Sequence, residues 1–217
     1  MKIFLSKINE SWIVDRLRDD WYINNNEIST ENVKKSDIIW IISPWVWRKL
    51  PKRHLKSKKV ICSIYHIDFS NFDKKEKKDF YNRDRFVDAY HVISNKTKDQ
   101  LKTLTDKEIT SIPFWIDGDK WFEIKEKDKI RSELGFKKEE YLIGSFQRDT
   151  EGSDLKSPKL IKGPDIFLDL VQKIYKENKK TKVIITGNRR QYLIENFHKL
   201  GIPYKYFEMV ELEKLNK

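Results

Sequence analysis

Five stretches of this sequence are apolar almost without interruption: DIIWIIS from Asp37, KVICSIYHI from Lys59, AYHVIS from Ala89, YLIGSF from Tyr141 and TKVIITG from Thr181. A strand with one wet face alternates, whereas a short unbroken run suits a strand covered on both faces, as in a parallel sheet. KIFL at 2–5 and ITSIPFWI from Ile109 add two more runs of this kind. Between them lie stretches of helical character. Ser11 could cap a helix with Trp12, Ile13, Leu17 and Trp21 on its apolar face, and a polar helix is expected over 97–104. Strands separated by helices of this size imply right-handed crossovers and a doubly wound α/β sheet. Ligand-binding residues then belong at the carboxyl ends of the strands.

The chain reads as two units. Its 217 residues are more than one such domain uses and few for two. Residues 118–129 are charged and aperiodic and are read as a linker between an N-terminal domain at 1–117 and a second domain at 130–217. Ile3, Ile39, Ile41, Val60, Ile61 and Val92 are expected in one core; Ile143, Phe167, Val171, Ile184 and Ile185 in the other. In the second domain a short helix with Ile130 and Leu134 inward stops at Gly135, and strands follow at Tyr141, Thr181 and YKYFEMV. Only ELEKLNK remains after that, about half the strands that a doubly wound domain needs, so the second sheet is expected to be incomplete.

The segment 141–171 carries the clearest chemistry. The strand from Tyr141 leads into a polar connection with Arg148, Lys156, Lys159 and Lys162, and then into a helix opened by Pro164, with Ile166, Phe167, Leu170, Val171 and Ile174 at helical spacing. Cations delivered to a helix N-terminus make an anion site, for which a phosphorylated ligand is the natural guest. Loops as long as 147–161 are usually functional or mobile. Other strand ends supply further cleft-lining candidates: His66 and Asp68, Ser94 and Asn95, Trp115 and Asp117, and Gly187 with Arg189. His91 sits among apolar neighbours and reads as structural. His54 and His198 have no partners at metal-ligand spacing, so no metal site is expected.

Lys and Arg number 45 against 34 acids, a net charge of +11 spread over both halves, which suits anionic partners or a merely soluble surface. Segments 48–59 and 74–86 concentrate the basic residues and are candidates for peripheral contact with an anionic membrane. A nucleic-acid-binding module is the weaker reading, because tryptophans such as Trp12, Trp21 and Trp40 fall in apolar runs or helix faces, where core packing explains them. Cys62, the single cysteine, is expected to be a buried, reduced thiol. With neither a leader-like segment nor an 18-residue apolar run, the chain reads as cytoplasmic, with any membrane contact at the inner face.

Taken together, IPFWIDGDKWF, IGSFQRD, the Lys-Gly pair of LIKGPDIFLDLV and VIITG, in this order over almost the whole chain, resemble a GT-B glycosyltransferase of the family 4 type (glycosyl transferases group 1). The resemblance implies two Rossmann-like domains and a retaining transfer of sugar from a nucleotide-diphosphate donor to a glycan, lipid or small-molecule acceptor, without a metal or other cofactor. It implies that Arg148 and Lys162, with Gly163, grip the donor diphosphate, and that His66 lies near the transferred sugar as the catalytic candidate. The family's glutamate motif, which holds the donor ribose and sugar, belongs further along the second domain. Glu208, Glu211 and Glu213 come too early for it, so the chain is expected to be truncated and to have little or no activity alone. A non-catalytic sugar-nucleotide-binding or interaction protein of the same fold is the alternative.

Overall fold

The computed structural model describes residues 1–9, 13–119, 121–208 and 210. The expected cap Ser11, and Trp12, Glu211 and Glu213, lie outside the described residues. The chain divides into two compact units, Met1–Asp117 and Gly118–Lys217.

Unit 1 is built on a five-stranded parallel sheet: β1 (Ile3–Leu5), β2 (Ile38–Ile41), β3 (Lys59–Ile64), β4 (Ala89–Val92) and β5 (Glu108–Ser111), in that spatial order. Helices α1 (Ile13–Asn24), α2 (Lys52–Ser57), α3 (Lys74–Asp84) and α4 (Asn95–Lys102) lie between the strands in sequence. The order looks sequential until one single-pair bridge is included. Ser29 pairs in parallel with Ile3, and the Thr30 amide donates to the Ile3 carbonyl at 2.9 Å. Because β2 holds one edge of β1, this segment occupies the other. From β1 the chain therefore steps outward through α1, then returns past β1 to start β2, which is the reversal that makes a sheet doubly wound.

The two faces are covered accordingly. On one, Trp21 of α1 meets Trp40 edge to face with ring centroids 5.2 Å apart, and Trp115 closes on both at 5.9 Å. On the other, Phe80 of α3 stacks on Tyr90 at 6.0 Å. The unbroken apolar runs follow from this double covering: Ile39, Ile41, Val60, Cys62 and Val92 are fully buried. Burial pushes the Cys62 thiol up to about 11. A polar relay crosses the sheet on the tryptophan face. Trp40 Nε1 donates to Ser63 Oγ at 2.9 Å, the hydroxyl faces His91 Nδ1 at 2.9 Å, and His91 Nε2 meets the Ile112 carbonyl at 2.8 Å. A carbonyl can only accept, so Nε2 carries the proton and Nδ1 accepts from Ser63. His91 is thus a neutral bracing group, its pKa lowered by burial.

Unit 2 contains α5 (Lys127–Glu133) and the parallel strands β6 (Tyr141–Ser145), β7 (Thr181–Thr186) and β8 (Tyr204–Phe207), in that order. Helices α6 (Pro164–Glu177) and α7 (Gln191–Lys199) connect them and touch through Phe167 and Phe197, 6.4 Å apart. Leu168, Val171, Val183, Ile185, Leu193 and Phe197 form the core, with Ile143 and Phe167 packed against it.

Ile61 and Ile184, expected in the cores, are only partly buried and belong to neither cluster, since they lie on parts of the strand faces that the core does not fill; two further details differ from the sequence reading. The stretch 118–129 is not wholly aperiodic, since α5 begins at Lys127. On α6, Ile166 and Leu170 are 71% and 50% exposed, and Leu168 takes the inward place instead. Pro164, Leu168 and Val171 define the buried stripe, so the register is turned from the one that the apolar spacing suggests. Among the described residues no helix is long and apolar enough to cross a membrane.

Candidate functional site

In unit 2 the carboxyl ends of β6 and β7 present the candidate anion site. After β6 the chain does not wander through a loose loop. Thr150 and Pro158 form an antiparallel bridge, the Glu151 amide donates to Ser157 at 2.9 Å, and the Lys159 amide returns to the Asp149 carbonyl at 2.8 Å. Residues 149–159 thus form a hairpin-like excursion. Its return brings Lys162 back beside the strand end, where Gln147 Nε2 donates to the Lys162 carbonyl at 2.7 Å.

Gly163 then enters α6 at φ 64°, ψ 37°, in the left-handed region that favours glycine. Pro164 at the first helical position gives up no donor, and the amides of Asp165 and Ile166 have no carbonyl four residues back within the helix. Lys162 directly precedes this helix end and Arg148 follows Gln147, whose side chain holds the Lys162 carbonyl; both cations are exposed. Of the other two loop cations, Lys156 is exposed, while Lys159 is ion-paired with Glu151 at 3.7 Å.

Beneath them lies a feature absent from the sequence reading. Arg190 is fully buried and Asp149 is 2% exposed; Arg190 Nε stands 3.6 Å from Asp149 Oδ2. Arg190 Nη2 donates to Ser145 at the end of β6, to the carbonyl at 3.1 Å and to Oγ at 2.6 Å. Asp149 Oδ2 accepts from the Leu193 amide at 3.4 Å, while Asp149 Oδ1 and Arg190 Nη1 are buried without a hydrogen-bond partner. Burial pushes the Asp149 carboxyl up to about 6, against the pull of Arg190. The pair ties the exits of β6 and β7 together under Arg148. Its sequence signal is slight: two charged residues 41 positions apart, each at a strand's carboxyl end.

Arg189 serves this scaffold. At φ 62° its carbonyl accepts from the amides of Asp149 and Thr150, at 3.0 and 3.2 Å, and its guanidinium donates to the Gly152 carbonyl at the excursion's tip. Gly187, at φ 86°, borders open space: a Cβ there would meet nothing within 4 Å.

In unit 1, His66 and Asp68 line a cavity of about 250 Å³ together with Asn71, Phe72, Glu76 and Arg83. The Ser70 hydroxyl and the Asn71 amide hold the Asp68 carboxyl below its usual range. Ser94 has a local task. It caps α4, its hydroxyl accepting from the Thr97 amide at 3.2 Å, and Asn95 opens that helix. The strand-order reversal places β1 and β2 side by side at the crevice, where Ser6 Oγ accepts from the Ile42 amide at 3.1 Å and Ser43 Oγ is buried without a partner. No group of three or more His, Cys, Asp or Glu side chains that could hold a metal ion occurs among the described residues.

No family model matches the sequence, and no curated protein sequence matches it. Solved structures do. The structure of Anabaena Alr3699/HepE in complex with UDP matches at a TM-score of 0.66 and 12% identity, over 98% of this chain and 71% of that one. The same protein in complex with UDP and glucose matches at 0.64 and 11% identity, over 98% and 70%. The apo structure of OtsA matches at 0.50 and 14% identity, over 93% of this chain and 53% of that one. At such identities the likeness speaks for the fold: the chain is an α/β protein with two parallel, Rossmann-like sheets of the GT-B type.

Proposed function

We propose that the chain binds a nucleotide-diphosphate sugar in unit 2 and serves a glycosyltransferase reaction, retaining and of the family 4 type, on a glycan, lipid or small-molecule acceptor, with little or no transferase activity alone. The observation that carries this reading is the Gln147–Lys162 hydrogen bond, which keeps Arg148, Lys162 and the α6 N-terminus at one strand end. A diphosphate leaving group gains negative charge as the glycosidic bond breaks, and fixed cations with free amides stabilise that charge. In this reading Arg148 and Lys162 neutralise the leaving group without a metal, and Gly163 lets the backbone approach the phosphates. His66 and Asp68 in unit 1 serve the acceptor side. The UDP and UDP–glucose complexes of the HepE structures favour a nucleotide-sugar donor over other phosphorylated ligands.

Titration calorimetry with UDP, GDP and ADP and with the bare nucleosides tests the donor site. Arg148→Ala and Lys162→Ala should each weaken diphosphate binding by about 1.5–3 kcal/mol, the range for hydrogen bonds to charged groups, and leave nucleoside binding unchanged. Equal losses for nucleoside and diphosphate would assign the two cations to folding. His66→Ala should leave donor affinity intact, and chelators should not affect that affinity.

A further inference from the structure

The two basic segments of unit 1 meet in space. Arg48, Lys52 and Arg85 line one groove of about 450 Å³ together with Asn82, Trp47 and Phe86. Trp47 and Phe86 stand 5.9 Å apart and form its apolar wall, and Arg48 lies over the Trp47 ring at 5.6 Å. Among the described residues no carboxylate lines it. Asp79, the acid that meets Arg48, is already committed: it pairs also with Arg83, 3.6 Å away, and accepts from Trp47 Nε1 at 3.2 Å. Lys52 and Arg85 are exposed and make no ion pair among the described residues, so their charge is available to a guest.

The surroundings repeat this chemistry. On α3, Lys74, Lys78, Tyr81, Asn82 and Arg85 fall at helical spacing along one face, opposite the buried Phe80 and Arg83. On that face Tyr81 holds its ring out, 47% exposed. An exposed tyrosine beside cations suits a surface that meets a lipid interface, where the ring sits at headgroup depth and the cations meet phosphate.

We propose that this groove receives the phosphate of an anionic lipid headgroup, so that unit 1 docks on a membrane surface by the face that carries Tyr81 and Arg85. Lys52 and Arg85 meet the phosphate, Asn82 donates to its ester oxygens, and the Trp47–Phe86 wall takes the glycerol and first methylenes. A single-stranded nucleic acid would use the cations, and its bases the exposed ring, but would leave the Trp47–Phe86 wall inside the groove without a role. The inference does not rest on the transferase reading, and its test contains no donor nucleotide.

Flotation of the full chain with vesicles of phosphatidylcholine alone, or mixed with phosphatidylglycerol, decides it. Binding should require phosphatidylglycerol. It should fall about tenfold or more in Lys52→Glu/Arg85→Glu, and less than about twofold in Lys102→Glu/Lys107→Glu, the same charge change elsewhere on unit 1. Tyr81→Ala should weaken binding at unchanged net charge. Equal losses in the two charge-reversed pairs would mean diffuse attraction and overturn the site, as would binding that ignores phosphatidylglycerol. Release from vesicles by glycerol 1-phosphate at the concentration of the lipid phosphate would make the ligand a soluble phosphate. Tighter, Lys52- and Arg85-dependent binding to a single-stranded oligonucleotide would make it nucleic acid. Either result overturns membrane docking.

Discussion

Removing either half of the Asp149–Arg190 pair should damage unit 2 in a way that pH can read. Arg190→Met deletes a side chain with no exposure and leaves Asp149, 2% exposed, without its counter-charge. Breaking a buried pair from one side costs about 3–5 kcal/mol, since an uncompensated charge stays behind. A carboxyl raised to about 6 favours the fold while protonated, a contribution complete below about pH 4 and lost as pH rises through about 6. Without Arg190 that pKa climbs further, so the extra cost of Arg190→Met should grow above pH 6 by about 1.4 kcal/mol per pH unit until the new pKa is reached.

Asp149→Asn behaves in the opposite sense. It strands a guanidinium that cannot deprotonate, and its cost relative to wild type should shrink between about pH 4 and pH 6, where the wild-type advantage is lost. Urea unfolding followed by far-ultraviolet circular dichroism at several pH values measures both. Six of the seven tryptophans precede Asp117, so the fluorescence transition reports mainly unit 1 and should stay in place. Losses below about 1 kcal/mol in both variants, or one shared pH trend, would refute the view that the pair is a buried, mutually dependent clamp.

Ser63→Ala should cost about 1–3 kcal/mol in urea unfolding of unit 1, because the Trp40 indole N–H and His91 Nδ1 lose their shared partner inside the sheet. Gly163→Ala should cost about 1–2 kcal/mol from left-handed backbone strain alone, since the nearest side-chain atom to an added Cβ is 3.8 Å away; thermal unfolding checks it. Cys62, with its thiol pushed up to about 11, should resist maleimide labelling at neutral pH until the chain is unfolded, as mass spectrometry would show.

The parallel architecture was legible because strands buried on both faces cannot hide their composition; the runs at 38–41, 59–64, 89–92, 141–145 and 181–186 are strands almost to the residue. The Ser29 bridge was not. It rests on backbone pairing beside a polar turn, and a single pair leaves no apolar signature. Apolar spacing on α6 misplaced the buried stripe, because Ile166 and Leu170 are as hydrophobic as the residues that face the core. At the candidate site the exposed cations could be named from their place between a strand and a helix. The clamp beneath them could not, since charged residues read as solvated until a partner is seen. The groove of unit 1 shows the same limit: two basic segments were visible, and their convergence on Trp47 and Phe86 was not.

The indoles of Trp21, Trp40 and Trp115 lie 5.2–5.9 Å apart at steep mutual angles of 55–77°. At such separations their transition dipoles couple, so the three absorb as one chromophore and should give an exciton couplet in the circular dichroism spectrum. The ring of Trp115 is held by a 3.1 Å hydrogen bond from its Nε1 to the Leu17 carbonyl of α1. The share of the couplet that Trp115 contributes, beyond that of the Trp21–Trp40 pair, therefore exists only while the last residues of unit 1 are folded back against its first helix. Unit 1 carries in this cluster a built-in optical gauge of whether its two ends are still joined.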